Sequence, residues 1–138
     1  MNEITVTGNV SKIHKTRHTA AGATIFSFDV AISDGYFDKV RDKWISRPPV
    51  FQPVVAYREL AANVEQTIRT GMEVIVTGKF LDDSFTPNGA QFPVRRTKLE
   101  ASVIGPSLRY ATAVVTKTSK SREEEGREHN REQLAPAA

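Results

Sequence analysis

The stretch VFQPVVAY, residues 50–57, is rich in β-branched and aromatic residues and therefore predicts a β-strand. Successive side chains of a strand alternate between its two faces, so Phe51, Val55 and Tyr57 share one face. Phe51 and Tyr57 lie about 20 Å apart at the usual rise per residue, which is too far for contact. They either fill two places in a core or form two platforms on an open surface.

The segments around this stretch have the patterns of four more strands and one helix. The strands are predicted at residues 4–10, 24–33, 73–85 and 92–104, where apolar and polar residues alternate. Leu60, Val64 and Ile68 recur every four residues, which predicts a helix over residues 58–69. The helix therefore falls between the third and the fourth strand.

This order of elements is that of the OB-fold, a Greek-key barrel. Gly8 and Gly78 stand within strands, at places where a small barrel must bend. Element order alone leaves another small α+β sheet open. We predict an all-β fold with one helix: a five-stranded OB-fold Greek-key barrel followed by a disordered C-terminal tail. In this barrel Phe26 and Phe28 belong to the core. Val50, Val54 and Ala56 turn to the interior if Phe51 and Tyr57 form platforms on the surface.

Other parts of the chain lack strand periodicity. Residues 36–49 form a polar connection that we interpret as a mobile hairpin loop, in which Trp44 either stacks on a ligand or pins the hairpin. Pro53 cannot donate a ladder hydrogen bond, so it predicts an edge position or a bulge. Residues 108–115 have the pattern of one more short strand, whereas residues 117–138 are too polar and charged to fold alone.

Composition narrows the classes of function. There is no Cys, which excludes disulfides and thiolate metal sites, and two of the three His lie within a basic segment. We therefore expect neither a metal nor a cofactor. No nucleophile–base pair or phosphate loop is visible, so an enzyme is not expected. No apolar run has the length of a membrane span, which predicts a soluble, cytoplasmic protein without a membrane partner.

The charge distribution favours a polyanionic partner. The net charge is +3 and the isoelectric point is about 9.3. Residues 4–28 contain no acidic residue, while Lys12, Lys15 and Arg17 all fall there. A basic stretch of this kind is either a solvated face or an anion-binding surface, and the missing acids favour the second interpretation.

An ordered set of segments resembles the bacterial single-stranded DNA-binding protein family over about residues 2–116. The segments are residues 6–10 (VTGNV), 17–22, 26–32, 54–60 and 74–79 (VIVTGK). Residues 105–113, GPSLRYATA, resemble the actinobacterial branch of that family.

The resemblance implies a homotetramer of OB-fold subunits that binds and protects single-stranded DNA in replication, recombination or repair, near the nucleoid. It implies an OB-fold DNA-binding domain at residues 1–105 and an added strand at 106–116 that clasps a neighbouring subunit, before the tail at 117–138. Bases would stack on aromatic residues at four matching positions, which are Tyr36, Phe51, Tyr57 and Phe85.

Binding of this kind needs no sequence readout, because every base has a π-face and stacking contributes roughly 1–3 kcal/mol per base. RNA stays open as a second ligand, because a stacking platform tolerates both sugars. Trp44 is a further candidate for a DNA contact. The candidate phosphate-binding residues are Lys12, Lys15, Arg17, Lys39, Lys79, Arg95 and Arg96.

Three features depart from the family pattern. The chain lacks the acidic tip with a terminal aromatic, so recruitment of repair enzymes through that tip is not expected. Asp82 and Asp83 stand where basic residues are common and would repel phosphate, and Pro53 replaces a residue that can donate to the ladder. Together they suggest an accessory paralogue. The alternative is an OB-fold protein-interaction module, of a replication-restart or conjugation type, with weak DNA binding.

Overall fold

The computed structural model describes residues 3–118, which form six strands and one helix. The alternating segments of the sequence become strands, because each buries one face and leaves the other in water. The elements are β1 (Ile4–Ile13), β2 (Arg17–His18), β3 (Thr24–Asp38), β4 (Lys43–Tyr57), α1 (Arg58–Thr67), β5 (Glu73–Asp82) and β6 (Thr97–Pro106). The predicted helix is confirmed between the third and fourth long strands.

Five of the strands close into a barrel in the order β1-β5-β6-β4-β3, and β3 pairs back with β1. All pairs are antiparallel except β4 with β6, which is parallel. This is the topology of the predicted OB-fold. The two-residue β2 is an addition to the prediction, and it turns the basic segment back against the start of β3.

The core fills the barrel and is closed at one end by α1. Its largest fully buried side chains are Phe28, Ile68, Leu99, Val10, Val30, Val54, Val74 and Val76. The predicted core residues Phe26 and Phe28 lie in it with ring centres 6.0 Å apart. Full burial of one such side chain contributes roughly 1.5–3 kcal/mol to stability, so the core dominates the energetics of the fold.

Gly8 and Gly78 bring neighbouring strands into close contact, as their positions predict. A Cβ atom on Gly8 would lie 2.5 Å from the carbonyl oxygen of Ala31, and one on Gly78 would collide with that of Glu100. The β5–β6 register also shifts between Thr77 and Gly78. A larger residue at either place would therefore force two strands of the barrel apart.

The prediction of a loop at residues 36–49 is wrong. Strands β3 and β4 continue their pairing out to Asp38 and Lys43 and form a hairpin arm, defined here as residues 34–47. The register shifts between Ile32 and Asp34, and this bulge breaks the alternation that would have marked the strands. At the tip, Asp38 Oδ1 accepts hydrogen bonds from the backbone N–H groups of Val40 and Arg41.

Two further expectations about strands need correction. Val50 does not face the interior but is 56% exposed, because it lies at the bulge where the arm leaves the barrel. Residues 108–115 form no strand within the single chain. A clasping strand would need a second subunit to pair with, so the added strand at 106–116 stays a prediction. The predicted tail at 117–138 lies almost entirely outside the described residues.

Candidate nucleic-acid interface

The outer face of the β3–β4 pair presents Phe51 and Tyr57 on the same side of the barrel. Phe51 lies opposite Ala31 and Tyr57 opposite Ile25, and both pairs face away from the core. Phe51 is 58% exposed and Tyr57 is half-buried. The choice left open by the sequence is therefore settled for Phe51, which stands on the surface and not in the core.

A groove of about 530 Å³ lies between these two aromatic positions. Its floor includes Pro53 and Val55, which separate Phe51 from Tyr57 along β4, and Val55 is buried. The charged side chains that line it are Lys15, Arg17, Arg96 and Lys98, with Asp29 and Asp83 and the titratable His14. Four cations against two carboxylates, beside exposed aromatics, match the chemistry of a single-stranded nucleic acid.

Pro53 does not interrupt the strand that holds this floor. It pairs with Asp29 within a continuous β3–β4 register. On its other side β4 pairs with β6 only at Val54 and Val55, just beyond the proline. The missing N–H therefore falls where β4 begins to run as an edge, as predicted.

Tyr36 lies on the hairpin arm under an arginine. The guanidinium carbon of Arg47 is 5.0 Å from the centre of the Tyr36 ring, a cation–π distance. The tyrosine pairs with Ile45 across the arm and remains exposed. One face of this platform is thus occupied by a cation in the free protein.

Phe85 is held in a similar way beyond the end of β5. An isolated bridge to Val94 fixes its backbone, with N–H to carbonyl distances of 3.1 and 2.6 Å. The guanidinium carbon of Arg96 lies 4.8 Å from the centre of the Phe85 ring. Arg96 is therefore both a groove cation and a cover for an aromatic side chain.

The two aspartates that were expected to repel phosphate have different surroundings. Asp83 Oδ2 accepts a hydrogen bond from Arg96 Nε at 3.0 Å and forms an ion pair with Arg96 Nη2 at 2.8 Å. Asp82 Oδ1 accepts the backbone N–H of Ser84 at 2.9 Å, and hydrogen bonds from Ser84 lower the pKa of this carboxyl group. The charge of Asp83 is thus paired with an arginine, and the expectation that the two aspartates repel phosphate stays a prediction.

The predicted phosphate-binding residues do not all reach the groove. Lys15, Arg17 and Arg96 line it. The other four lie outside its lining: Lys12 is exposed on β1, Lys39 is exposed at the arm tip, Arg95 lines a separate pocket beside Asp82, and Lys79 lies 4.0 Å from Glu100. Only three of the seven predicted phosphate-binding residues therefore contribute positive charge to the lining of the groove.

Lys98, His14 and Arg47 belong to this surface but were not predicted as site residues. Lys98 could have been found, because alternation along β6 places it on the same outward face as Arg96. His14 Nε2 lies 3.2 Å from Asp29 Oδ1 across the β1–β3 pair. Arg47 lies next to Tyr36 because β3 and β4 pair along the arm, and the local sequence pattern did not show that pairing.

Trp44 packs on the backbone of Gly35 within the arm. Three atoms of its indole ring would lie 2.5–2.8 Å from a Cβ at that glycine. The ring therefore fills the space left by the missing side chain and pins the arm, which was one of its two predicted roles. Its other surface is open, since Trp44 is 61% exposed.

Beyond β6 an ion pair fixes the chain. Arg109 donates from Nη2 to Glu73 Oε2 at 2.6 Å, and this bond, followed by one from Ser107, lowers the pKa of Glu73. Thr118 Oγ1 lies 3.1 Å from Asn63 Oδ1, so the segment ends against α1. The apolar side chains of Tyr110, Val114 and Val115 between these two anchors are exposed, and so is that of Leu108 just before Arg109.

Residues 3–118 contain neither a metal cluster nor a membrane-spanning helix. No group of three or more His, Asp or Glu side chains in this part of the chain could hold a metal ion. The helix that lies within these residues is too short and too polar to cross a membrane.

Comparison with known proteins identifies the family of this chain. The model of the single-strand binding protein family matches residues 1–105, and the chain belongs to that family. The single-stranded DNA-binding protein of Mycolicibacterium smegmatis is 39% identical over 120 residues, which are 86% of this chain and 71% of the relative. Single-stranded DNA-binding protein 2 of Streptomyces coelicolor is 37% identical over 118 residues, which are 84% of this chain and 58% of the relative.

Solved structures agree with the fold. The small single-stranded DNA-binding protein from Streptomyces coelicolor superimposes with a TM-score of 0.68 at 25% identity, covering 80% of this chain and 97% of that one. An SSB of Plasmodium falciparum, solved as a complex with ssDNA, gives a TM-score of 0.65 at 19% identity over 78% of this chain and 95% of that chain. The second similarity supports the OB-fold alone.

Proposed function

We propose that this protein binds single-stranded DNA without sequence preference and protects it in replication, recombination or repair. The observation that carries the proposal is a groove lined by four Lys and Arg side chains on one face of an OB-fold barrel. It lies along β4 between the positions of the exposed Phe51 and the half-buried Tyr57. Membership of the single-strand binding protein family supports the same function.

The path of the DNA follows from the positions of the aromatics. Phe51 and Tyr57 form the central platforms, and Tyr36 on the arm and Phe85 beyond β5 extend the path on either side. Stacking contributes roughly 1–3 kcal/mol per base and does not depend on which base is stacked. The groove cations bind the phosphates between the bases, so affinity falls as salt rises.

The protein acts as a binding protein without a catalytic step, in the cytoplasm with the nucleoid. It assembles with further copies of itself, in a homotetramer. Exposed apolar side chains outside the groove support the assembly, notably Ile75 and Val103 on neighbouring strands β5 and β6 and the side chains of the segment after β6. Such side chains are rarely left open together on a monomer.

The test is a titration with labelled oligo-dT and with a duplex of equal length, over a series of NaCl concentrations. We expect clear preference for oligo-dT and a linear fall of log K with log salt. Mass measurement with and without oligo-dT reports the number of subunits in the same samples. Equal affinity for oligo-dT and for the duplex, or an affinity that does not change with NaCl concentration, would refute the proposal.

A further inference from the structure

Asp83 engages two of the four cations that line the groove. Its Oδ2 accepts a hydrogen bond from Arg96 Nε at 3.0 Å and forms an ion pair with Arg96 Nη2 at 2.8 Å. Its Oδ1 lies 3.9 Å from Lys98 Nζ. A single carboxylate thus faces two cations at distances where a phosphate oxygen would also bind them.

The backbone holds this carboxylate in place. The N–H of Asp83 donates to the carbonyl oxygen of Arg96 at 2.9 Å, and the N–H of Arg96 reaches Ser84 Oγ at 3.2 Å. The acid and its arginine therefore sit on two paired segments and not on free chain ends. The two side chains are partly exposed, at 49% for Arg96 and 33% for Asp83, and both line the groove.

The same arginine covers a predicted stacking platform. While Arg96 is bonded to Asp83, its guanidinium carbon lies 4.8 Å from the centre of the Phe85 ring. A base that stacks on that face of Phe85 must displace the guanidinium. Asp83 therefore influences both a phosphate site and a base site through one side chain.

We propose that Asp83 sets the DNA affinity of this protein by acting as an internal competitor for phosphate. In the free protein it takes the place of a phosphate on Arg96 and Lys98 and keeps Arg96 over Phe85. When DNA binds, a backbone phosphate replaces the carboxylate and the guanidinium leaves the ring. This inference rests on the proposed function and adds to it a residue that opposes binding.

A positioning role for Asp83 would have the opposite consequence. If the carboxylate held Arg96 ready for a phosphate, removing its charge would weaken binding. If it competes, removing its charge frees two cations and strengthens binding. The sign of the change therefore separates the two roles.

The experiment compares Asp83→Asn with the wild type by titration of labelled oligo-dT over a series of NaCl concentrations. Removal of one negative charge beside a phosphate site, which leaves Arg96 and Lys98 free to bind the phosphate, predicts about three- to tenfold tighter binding at low salt. The slope of log K against log salt should steepen by about 0.7 for each additional phosphate that the protein neutralises on a single strand. Unchanged or weaker binding would overturn the proposal.

Asp82→Asn is the matched control, because it removes the same charge one residue away. Asp82 bonds to Ser84 and borders the pocket that contains Arg95, outside the lining of the groove. We expect its affinity to stay within about twofold of the wild type, since the described hydrogen bonds of Asp82 go to Ser84 and not to Arg96 or Lys98. An increase in affinity equal to that of Asp83→Asn would show a general charge effect and would contradict the specific role.

A second pair of variants tests the mechanism. The effect of Asp83→Asn on affinity for oligo-dT is measured in two backgrounds. One is the wild type, and the other is a protein that carries Arg96→Gln and Lys98→Gln. We expect most of the increase in affinity to disappear, because the cations that Asp83 holds are gone. An increase of full size would mean simple repulsion of DNA, which contradicts the proposal.

The failure of this inference can be told from failure of the proposed function. Wild-type protein that does not bind oligo-dT even at low salt would refute the function itself. Wild-type protein that binds, with Asp83→Asn indistinguishable from it in affinity and slope, would refute only the role of Asp83. Thermal unfolding of each variant confirms that the compared proteins are folded.

Discussion

The four aromatic side chains of the proposed DNA path fall into two pairs with different surroundings. Phe51 and Tyr57 stand on the barrel wall, whereas Tyr36 and Phe85 lie on the arm and on the segment after β5. The outer pair is covered by arginines at 5.0 and 4.8 Å. Within residues 3–118 no cation lies over the ring of Phe51 or Tyr57.

This difference has an energetic meaning. An exposed cation–π contact contributes about 0.5–1 kcal/mol, and a base that stacks on the covered face must replace it. The rings on the barrel wall make no such contact in the free protein. The central platforms are therefore ready for a base, while the outer ones exchange one partner for another.

The largest effect is expected from the double variant Phe51→Ala/Tyr57→Ala. Loss of two stacked bases at roughly 1–3 kcal/mol each predicts at least a 30-fold loss of affinity for oligo-dT. The core-facing neighbours Val54 and Ala56 are unchanged, so the barrel should remain folded by circular dichroism. Phe37→Ala is the control, because Phe37 is an exposed aromatic of the arm on the opposite face from Tyr36. The role of the central pair would be contradicted if the double variant lost no more affinity for oligo-dT than Phe37→Ala does.

The double variant Tyr36→Ala/Phe85→Ala should lose less affinity than the central pair does. The net contribution of each outer ring is the stacking energy minus the energy of the arginine contact, which is about 0–2.5 kcal/mol per base by these values. The measurement is the same titration, carried out at one salt concentration for both double variants. Equal losses, or a greater loss for the outer pair, would show that the arginine covers do not matter.

The barrel could be predicted from the sequence because burial of one face leaves a period-two signal. That signal located the strands around Val10, Phe28, Val54 and Val76, all of which are in the core. It also located the glycines where strands come too close for a side chain. The alternation along a single strand is enough to show which of its residues face the core, which is why local pattern was sufficient.

The arm and the ion pairs could not be predicted, because they depend on register between strands. The bulge between Ile32 and Asp34 shifts the pairing, and no local pattern shows which residues then lie opposite each other. Asp83 and Arg96 are adjacent because the pairing of β5 with β6 ends at Asp82 and Thr97 and a backbone hydrogen bond joins the next two residues. The sequence therefore indicated only a negative charge at Asp83, whereas the structure pairs that charge with Arg96.

The arm offers a test of how the outer platform at Tyr36 is supported. Gly35→Ala places a Cβ within 2.5–2.8 Å of the Trp44 ring and should displace it. Trp44 is the sole tryptophan, so a change in its fluorescence emission reports the displacement directly. Affinity for oligo-dT should fall by no more than it does in Tyr36→Ala.

Ser46→Ala, at the residue paired with Gly35, is the control and should leave the emission unchanged. An unchanged spectrum in Gly35→Ala would mean that Trp44 does not pin the arm.

The smallest effect is expected far from the DNA path, at the ion pair between Glu73 and Arg109. The hydrogen bond from Arg109 lowers the pKa of Glu73 below its ordinary value of 4.5 in the folded protein. Its contribution to stability is therefore present above that ordinary value and is lost as the pH falls through the lowered one. Glu73→Gln should unfold at a slightly lower temperature than the wild type at neutral pH, and the two should converge in acid.

Thermal unfolding over a pH series measures this convergence, with Glu65→Gln on the exposed side of α1 as the control. The affinity of Glu73→Gln for oligo-dT should equal that of the wild type, since the pair lies outside the groove. A difference in unfolding temperature that persists in acid would show that shape rather than charge matters at Glu73. Weaker DNA binding in this variant would extend the DNA path to the segment after β6, and the division between central and outer platforms would then describe only part of the interface.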